Sequence, residues 1–167
     1  MNDELTRKDI EKMQEELDYR SNQLRPQLIE EVKRTRAFGD LSENFEYKEA
    51  KRAKNRNDSR IRYLTAMIKS ARIIEDTADD GQVGLYDKVE LFMPDDNSTE
   101  LIQIVTTIRC DPLNGLISKE SPLGIAVLGS RVGDSMTVKV NDSYSYTVVV
   151  KSIEKGEDDG TAPILQY

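Results

Sequence analysis

Gly39-Asp40-Leu41-Ser42-Glu43-Asn44-Phe45-Glu46-Tyr47 is a short acidic and polar run between two long stretches whose apolar residues recur at helical spacing. Gly39 lacks a Cβ and enters the left-handed conformation that ends a helix, while Asp40 or Ser42 is the type of side chain that caps the next one. The chain is therefore predicted to reverse here. Upstream, Thr6 and Asp9 have the spacing of a capping pair, and Ile10, Met13, Leu17, Leu24, Leu28 and Val32 follow in steps of three, four or seven. Pro26 removes a backbone donor, so a kink is expected near Asn22 to Leu24. Downstream, Tyr47, Ala50, Lys54, Asn57, Ile61, Leu64, Ile68 and Ala71 alternate three and four, the pattern of a two-helix coiled coil. Polar Lys54 and Asn57 on that stripe are of the kind that fixes register. The result is an antiparallel hairpin whose first arm, Thr6 to Ala37, extends roughly 48 Å at about 1.5 Å per residue.

Beyond the hairpin, Asp76-Thr77-Ala78-Asp79-Asp80-Gly81 is acidic, poor in large apolar residues and closed by glycine, as a linker is. The period then changes to two. Val89 to Phe92, Leu101 to Thr106, Met136 to Val140 and Tyr144 to Ile153 are rich in Val, Ile, Thr and Tyr and read as antiparallel strands. Ser121 as N-cap, Pro122 at the first helical position and Gly129 past the end predict one short helix among them. The expected architecture is α+β. A coiled-coil hairpin occupies 1–76 with its acidic tip at 39–47, a linker 77–84, a small antiparallel β domain with a short helix 85–155, and a flexible acidic tail 156–167.

Composition narrows the chemistry. Histidine is absent, which removes His-dependent triads and imidazole metal sites, and Cys110 is the sole cysteine, so no internal disulfide forms. No apolar run approaches the roughly 18 residues of a membrane span, and Met1-Asn2-Asp3-Glu4 does not resemble a signal peptide, so a cytoplasmic protein with no membrane partner is expected. The net charge of −7 taken alone argues against binding a polyanion, but between Lys33 and Arg72 there are 12 Lys and Arg against 5 Asp and Glu.

Two readings of the tip stand side by side. Asp40 and Glu43 have the spacing of a capping box, with Glu46 favoured in the first turn of a helix. The same carboxylates, exposed at the end of an arm, suit a hard divalent cation such as Mg²⁺, whose remaining ligands a partner would have to supply. Such an ion assists phosphodiester hydrolysis by activating water and stabilising the leaving oxygen. Behind the tip, Lys48, Lys51, Arg52 and Arg56 can follow a phosphate backbone, or else form a solvated face paired with Glu30 and Glu31. Phe45 is a candidate for stacking on a base, whereas Tyr47 falls on the inner stripe.

The tip run between its two helices resembles that of the bacterial GreA/GreB transcript cleavage factors. The similarity extends to Leu5-Thr6-Arg7, Ile10, Leu17, Pro26, Ala50-Lys51, Arg60-Ile61, Ser121-Pro122-Leu123-Gly124, Leu128-Gly129 and Val132-Gly133-Asp134, in order and spacing. It implies a monomeric factor, with the GreA type preferred, whose coiled coil enters the secondary channel of RNA polymerase. Its C-terminal domain, similar to FK506-binding proteins, would grip the channel rim. The resemblance further implies that Asp40 and Glu43 help to hold a catalytic Mg²⁺ of the polymerase, with no cofactor of the factor's own, so that the polymerase itself cuts a backtracked RNA 3′ segment. Gly39, Leu41, Ser42, Asn44, Phe45, Glu46 and Tyr47 would shape the tip, Lys48, Lys51, Arg52 and Arg56 would lie near the RNA, and Glu120, Ser121, Pro122 and Leu123 would bind the polymerase. Glu120 and Ile125 depart from the short acidic and basic residues that members often carry there. Two alternatives remain: a channel-binding inhibitor, against which the intact tip argues, and a peptidyl-prolyl isomerase. For the latter the domain offers few aromatic residues, namely Tyr86, Phe92, Tyr144, Tyr146 and Tyr167.

Overall fold

Thr6 opens the first helix as its spacing predicts. Its Oγ1 accepts from Asp9 N at 3.2 Å and the Asp9 carboxylate accepts from Thr6 N at 3.0 Å, which satisfies two amides that a helix start leaves unpaired. The computed structural model describes residues 3–39 and 44–166. They divide into two compact units, 3–72 and 73–166.

In the first unit a short strand β1 (Glu4–Leu5) precedes α1 (Arg7–Tyr19), a π-helical turn (Arg20–Leu24) and α2 (Arg25–Arg36), and α3 (Phe45–Ser70) returns antiparallel to them. The π turn is the distortion that Pro26 demands. Proline offers no amide to the carbonyl four residues back, and widening the preceding turn relieves the clash of its ring with that carbonyl. The turn begins at Arg20, two residues before the expected start, and Arg25 N donates to the Arg20 carbonyl. Asn57 Nδ2 donates to the same carbonyl at 3.2 Å from the facing helix, so the widened turn is tied across the hairpin.

The predicted stripes form the seam. Met13 and Leu64 are fully buried and Ala50 and Asn57 nearly so, while Ile10, Leu17, Leu24, Leu28, Val32, Tyr47, Lys54 and Ile61 are half-buried. Arg60 joins them, buried against Glu16: Nε lies 2.9 Å from Oε1 and Nη2 3.0 Å from Oε2. Arg20 Nε donates to the same carboxylate at 2.7 Å and its Nη1 to Asn57 Oδ1 at 3.1 Å. A buried charge is tolerated when it is paired and hydrogen-bonded throughout, and this network meets that condition.

The second unit follows β2 (Arg72–Ile73) and contains β3 (Lys88–Met93), β4 (Ser98–Val105), β5 (Leu116–Ser118), α4 (Pro122–Val127), β6 (Ser135–Lys139) and β7 (Ser145–Glu154). The sheet order is β5-β4-β3-β7-β6. Alternating residues of β3, β4, β6 and β7, among them Val89, Leu91, Ile102, Ile104, Val138, Val148 and Val150, form the core, and Val127 of α4 packs into it. The four long strands lie where period-two alternation places them. The all-antiparallel expectation fails at β5, which pairs with β4 in parallel. Two short 3-10 turns, Thr107–Arg109 and Pro112–Asn114, carry the chain back so that it re-enters in the same direction.

Two further expectations are corrected. The end of the 77–84 segment belongs to the second unit rather than to a free linker, because Val83 is fully buried, donates to Ser130 O at 2.8 Å and accepts from Gly129 N at 2.8 Å. The tail from residue 156, expected to be flexible, is fastened as far as Leu165. Asp158 pairs with fully buried Arg109 at 2.9 Å, Arg109 Nη1 donates to Ala162 O at 2.7 Å, and Leu165 N donates to Ile108 O at 2.7 Å. Among the described residues no helix is long and apolar enough to cross a membrane.

Candidate functional site

At the far end of the hairpin Asn44, the N-cap of α3, fastens the reversal. Its Oδ1 accepts from Tyr47 N at 3.0 Å, and its Nδ2 donates to the Thr35 carbonyl of α2 at 2.7 Å. Thr35 is fully buried, and its Oγ1 donates to Glu31 O at 2.8 Å in the same last turn. One side chain thus satisfies an amide in the first turn of one helix and adds a donor to a carbonyl in the last turn of the other, which also accepts from Phe38 N at 3.2 Å. Gly39, at φ +108, takes the left-handed conformation expected where α2 ends.

This geometry corrects the expected cap. The N-cap of α3 is Asn44, where Asp40 or Ser42 was expected. Asp40, Leu41, Ser42 and Glu43 themselves lie outside the described residues. Glu46 stands in the first turn of α3 and is exposed; Tyr47 is half-buried, on the inner side as its register predicts; Phe45 is 78% exposed. Sequence reading missed Phe38, which is 56% exposed and stacks under the Arg34 guanidinium at 5.2 Å. Their spacing of four was the available signal. Arg34 also donates two hydrogen bonds to Glu31, at 2.6 and 3.0 Å. These hydrogen bonds hold the Glu31 carboxyl below its ordinary value and raise that of Arg34.

Six of the basic residues of α3 fall into two groups. Arg60 belongs to the buried network, Lys54 pairs with Asp58 at 2.8 Å, and Arg52 pairs with Glu49 at 3.0 Å. Lys48, Lys51 and Arg56 are exposed and make no ion pair among the described residues. Glu30 and Glu31, the expected neutralising partners, are engaged by Lys33 and Arg34 of their own helix. The outer face of α3 therefore keeps positive charge available to a polyanion. Among the described residues no group of three or more Cys, Asp or Glu is gathered to hold a metal ion.

In the second unit Ser121 caps α4. Its Oγ accepts from Gly124 N at 3.0 Å and donates to Ser118 O at 2.7 Å. Gly124 is required by contact, since a Cβ there would lie 2.1 Å from Ser118 O. Glu120 and Pro122 are exposed and Leu123 is half-buried against the core, so the four predicted residues sit together in one turn. Ile125, one turn on, is 67% exposed. A cavity of about 380 Å³ nearby is lined by Ile74, Asp76, Val83, Leu85, Lys119 and Leu128 among others, and by no aromatic side chain. That lining does not suit a proline-binding pocket.

Comparison with known proteins covers both units. Residues 4–73 match the family described as transcription elongation factor, N-terminal, and residues 78–155 match transcription elongation factor, GreA/GreB, C-terminal. Transcription elongation factor GreA of Mesoplasma florum is 40% identical over 146 residues, covering 86% of this chain and 94% of that protein. The GreA of Thermoanaerobacter pseudethanolicus is 41% identical over 137 residues, covering 81% and 87%. The solved structure of the transcription factor Gfh1 is 24% identical over 92% of this chain and 97% of its own, at a TM-score of 0.45, too low to add to these matches.

Proposed function

The chain belongs to the GreA/GreB family of transcription elongation factors, and on that premise we propose that it rescues stalled transcription by presenting Asp40 and Glu43 to the active centre of RNA polymerase. The observation that carries this reading is the Asn44 cap. Asn44 caps the first turn of α3, so that helix start is satisfied without calling on Asp40 or Glu43, and the reading gives those two carboxylates to a ligand outside the chain.

The donor set fits a shared metal. Two carboxylates supply hard oxygens suited to Mg²⁺ and leave positions for ligands from a partner. An Mg²⁺ held jointly by Asp40, Glu43 and the polymerase would supply an activated water and stabilise the leaving oxygen when RNA is cut. The chain's own residues do the positioning. Asn44 and Thr35 fix the reversal, the Glu16–Arg60–Asn57 network holds the two arms in register, and Lys48, Lys51 and Arg56 offer charge to the phosphates of a backtracked RNA 3′ segment. The polymerase is the nuclease in this account, and the factor acts as a monomer.

The test is a purified, backtracked elongation complex with radiolabelled RNA. Adding the wild-type chain with Mg²⁺ is expected to shorten the transcript, and Asp40→Asn or Glu43→Gln is expected to abolish that gain while binding persists. A chain that binds but blocks shortening would instead place it with channel-binding inhibitors.

A further inference from the structure

Three hydroxyl and carboxyl groups beside α4 form a closed circuit that begins and ends on one residue. Glu120 N donates to Ser118 Oγ at 3.1 Å, Ser118 Oγ lies 2.9 Å from Thr107 Oγ1, and Thr107 Oγ1 donates to Glu120 Oε2 at 3.0 Å. Its direction is fixed by chemistry. A carboxylate only accepts, so the single hydroxyl proton of Thr107 goes to Glu120 and the bond between the two hydroxyls must be donated by Ser118. Ser118 Oγ in turn accepts the Glu120 amide. Each hydroxyl both gives and receives, the arrangement in which successive hydrogen bonds strengthen one another.

The consequence is a glutamate held in one orientation on the surface. Glu120 and Thr107 are exposed while Ser118 is 7% exposed, so the circuit stands on a buried foot and ends in solvent. Oε1 of Glu120 has no partner among the described residues. Fixing a long side chain before binding removes ordering entropy from the binding step, which is how preorganisation raises affinity.

We infer that Thr107 is a positioning residue for the polymerase contact: through Ser118 it presets the Glu120 carboxylate to receive a lysine or arginine side chain of the polymerase. The inference rests on the elongation-factor reading. Pro122 and Ile125, three apart on α4 in the turn that follows Glu120, are exposed as well. Nothing in the Thr107 sequence context marks this role; it appears only when the 3-10 turn Thr107–Arg109 meets the end of β5.

The experiment is equilibrium binding of the full chain to core RNA polymerase at several salt concentrations, with thermal unfolding run in parallel. Thr107→Val keeps the shape of the side chain and removes the hydroxyl. It is expected to weaken binding about three- to tenfold, the worth of re-ordering one long side chain, with only a small fall in unfolding temperature from the Ser118 hydroxyl that loses its acceptor. Thr107→Ser is expected to restore wild-type affinity. Glu120→Gln is expected to weaken binding and flatten its salt dependence, and adding Thr107→Val to it should produce no further loss. Wild-type affinity in Thr107→Val, undiminished binding by Glu120→Gln, or additive losses in the pair would overturn the inference while leaving the elongation-factor reading in place. A wild-type chain that fails to bind polymerase would overturn both.

Discussion

The guanidinium of Arg60 lies against the Glu16 carboxylate across the hairpin, with both partners largely withdrawn from solvent and two hydrogen bonds of 2.9 and 3.0 Å between them. A pair of this kind is a poor source of net stability, because desolvating two ions offsets most of their attraction, yet removing one partner strands the other. Arg60→Ala leaves Glu16 with Arg20 as its remaining partner and is expected to destabilise the hairpin by about 1.5–3 kcal/mol, the worth of hydrogen bonds to a charged group. The combined Glu16→Leu and Arg60→Met change should recover much of that loss. Calorimetric unfolding of the three chains checks both statements.

The same pair sets a pH dependence. Partial burial pushes the Glu16 carboxyl upward, but hydrogen bonds from Arg60 and Arg20 outweigh it and leave the folded value lowered. A carboxyl whose folded value is depressed contributes stability that is present above its unfolded value and is lost as pH falls through the folded one. The hairpin is accordingly expected to lose stability below the ordinary glutamate range. Glu16→Gln should be less stable at neutral pH and show a shallower acid slope, measured by unfolding at stepped pH.

At the tip, Asn44 makes two separable hydrogen bonds. Asn44→Ala loses the cap and the interhelical donor to the Thr35 carbonyl, which keeps the Phe38 amide, at an expected cost of about 1–2 kcal/mol. Asn44→Asp keeps an acceptor for Tyr47 N but loses the donor to Thr35 O. If the tie between helices matters to function, Asn44→Asp retains most of the stability and still stimulates transcript cleavage poorly. Unfolding and cleavage assays on both variants distinguish the two roles.

The tail gives an independent prediction. Arg109 is fully buried and Asp158 is a carboxylate partner of it, so Asp158→Ala removes a countercharge from a buried guanidinium. Destabilisation of the C-terminal unit by about 3–5 kcal/mol is expected. Limited proteolysis of that variant should open the segment after Lys155 first.

On the outer face of α3, Lys48→Gln, Lys51→Gln and Arg56→Gln together are expected to leave folding unchanged, since none of the three makes an ion pair among the described residues. Crosslinking of a backtracked RNA 3′ segment should weaken and lose part of its salt dependence. Unaltered crosslinking would remove these residues from the RNA path.

Much of this architecture was legible because apolar spacing records which faces are covered. Met13, Leu64, Val89, Val148 and the Thr6 cap stand where the pattern places them. What escaped was polar. Arg60 lies three residues past Asn57 and four before Leu64, on the stripe, but a charged residue breaks a hydrophobic pattern, and only its distant partner Glu16 explains its burial. Asp158 looked like one more acidic tail residue because Arg109, 49 positions away, gave no local sign. β5 has three residues, too few for alternation to show. Asn44 was overlooked in favour of Asp40 because several capping residues crowd that run, and spacing cannot choose among them. Asp40 and Glu43, the centre of the functional reading, lie outside the described residues, so their role rests on the family and on the cap beside them.

The most direct measurement is the rate of transcript cleavage in a backtracked complex saturated with either the wild-type chain or the Asp40→Asn/Glu43→Gln double variant, across a titration of Mg²⁺. The account predicts that both chains compete equally for polymerase, and that the variant falls to the factor-free rate or recovers only at much higher Mg²⁺. Cleavage by the variant at the wild-type rate and the same Mg²⁺ dependence would contradict it.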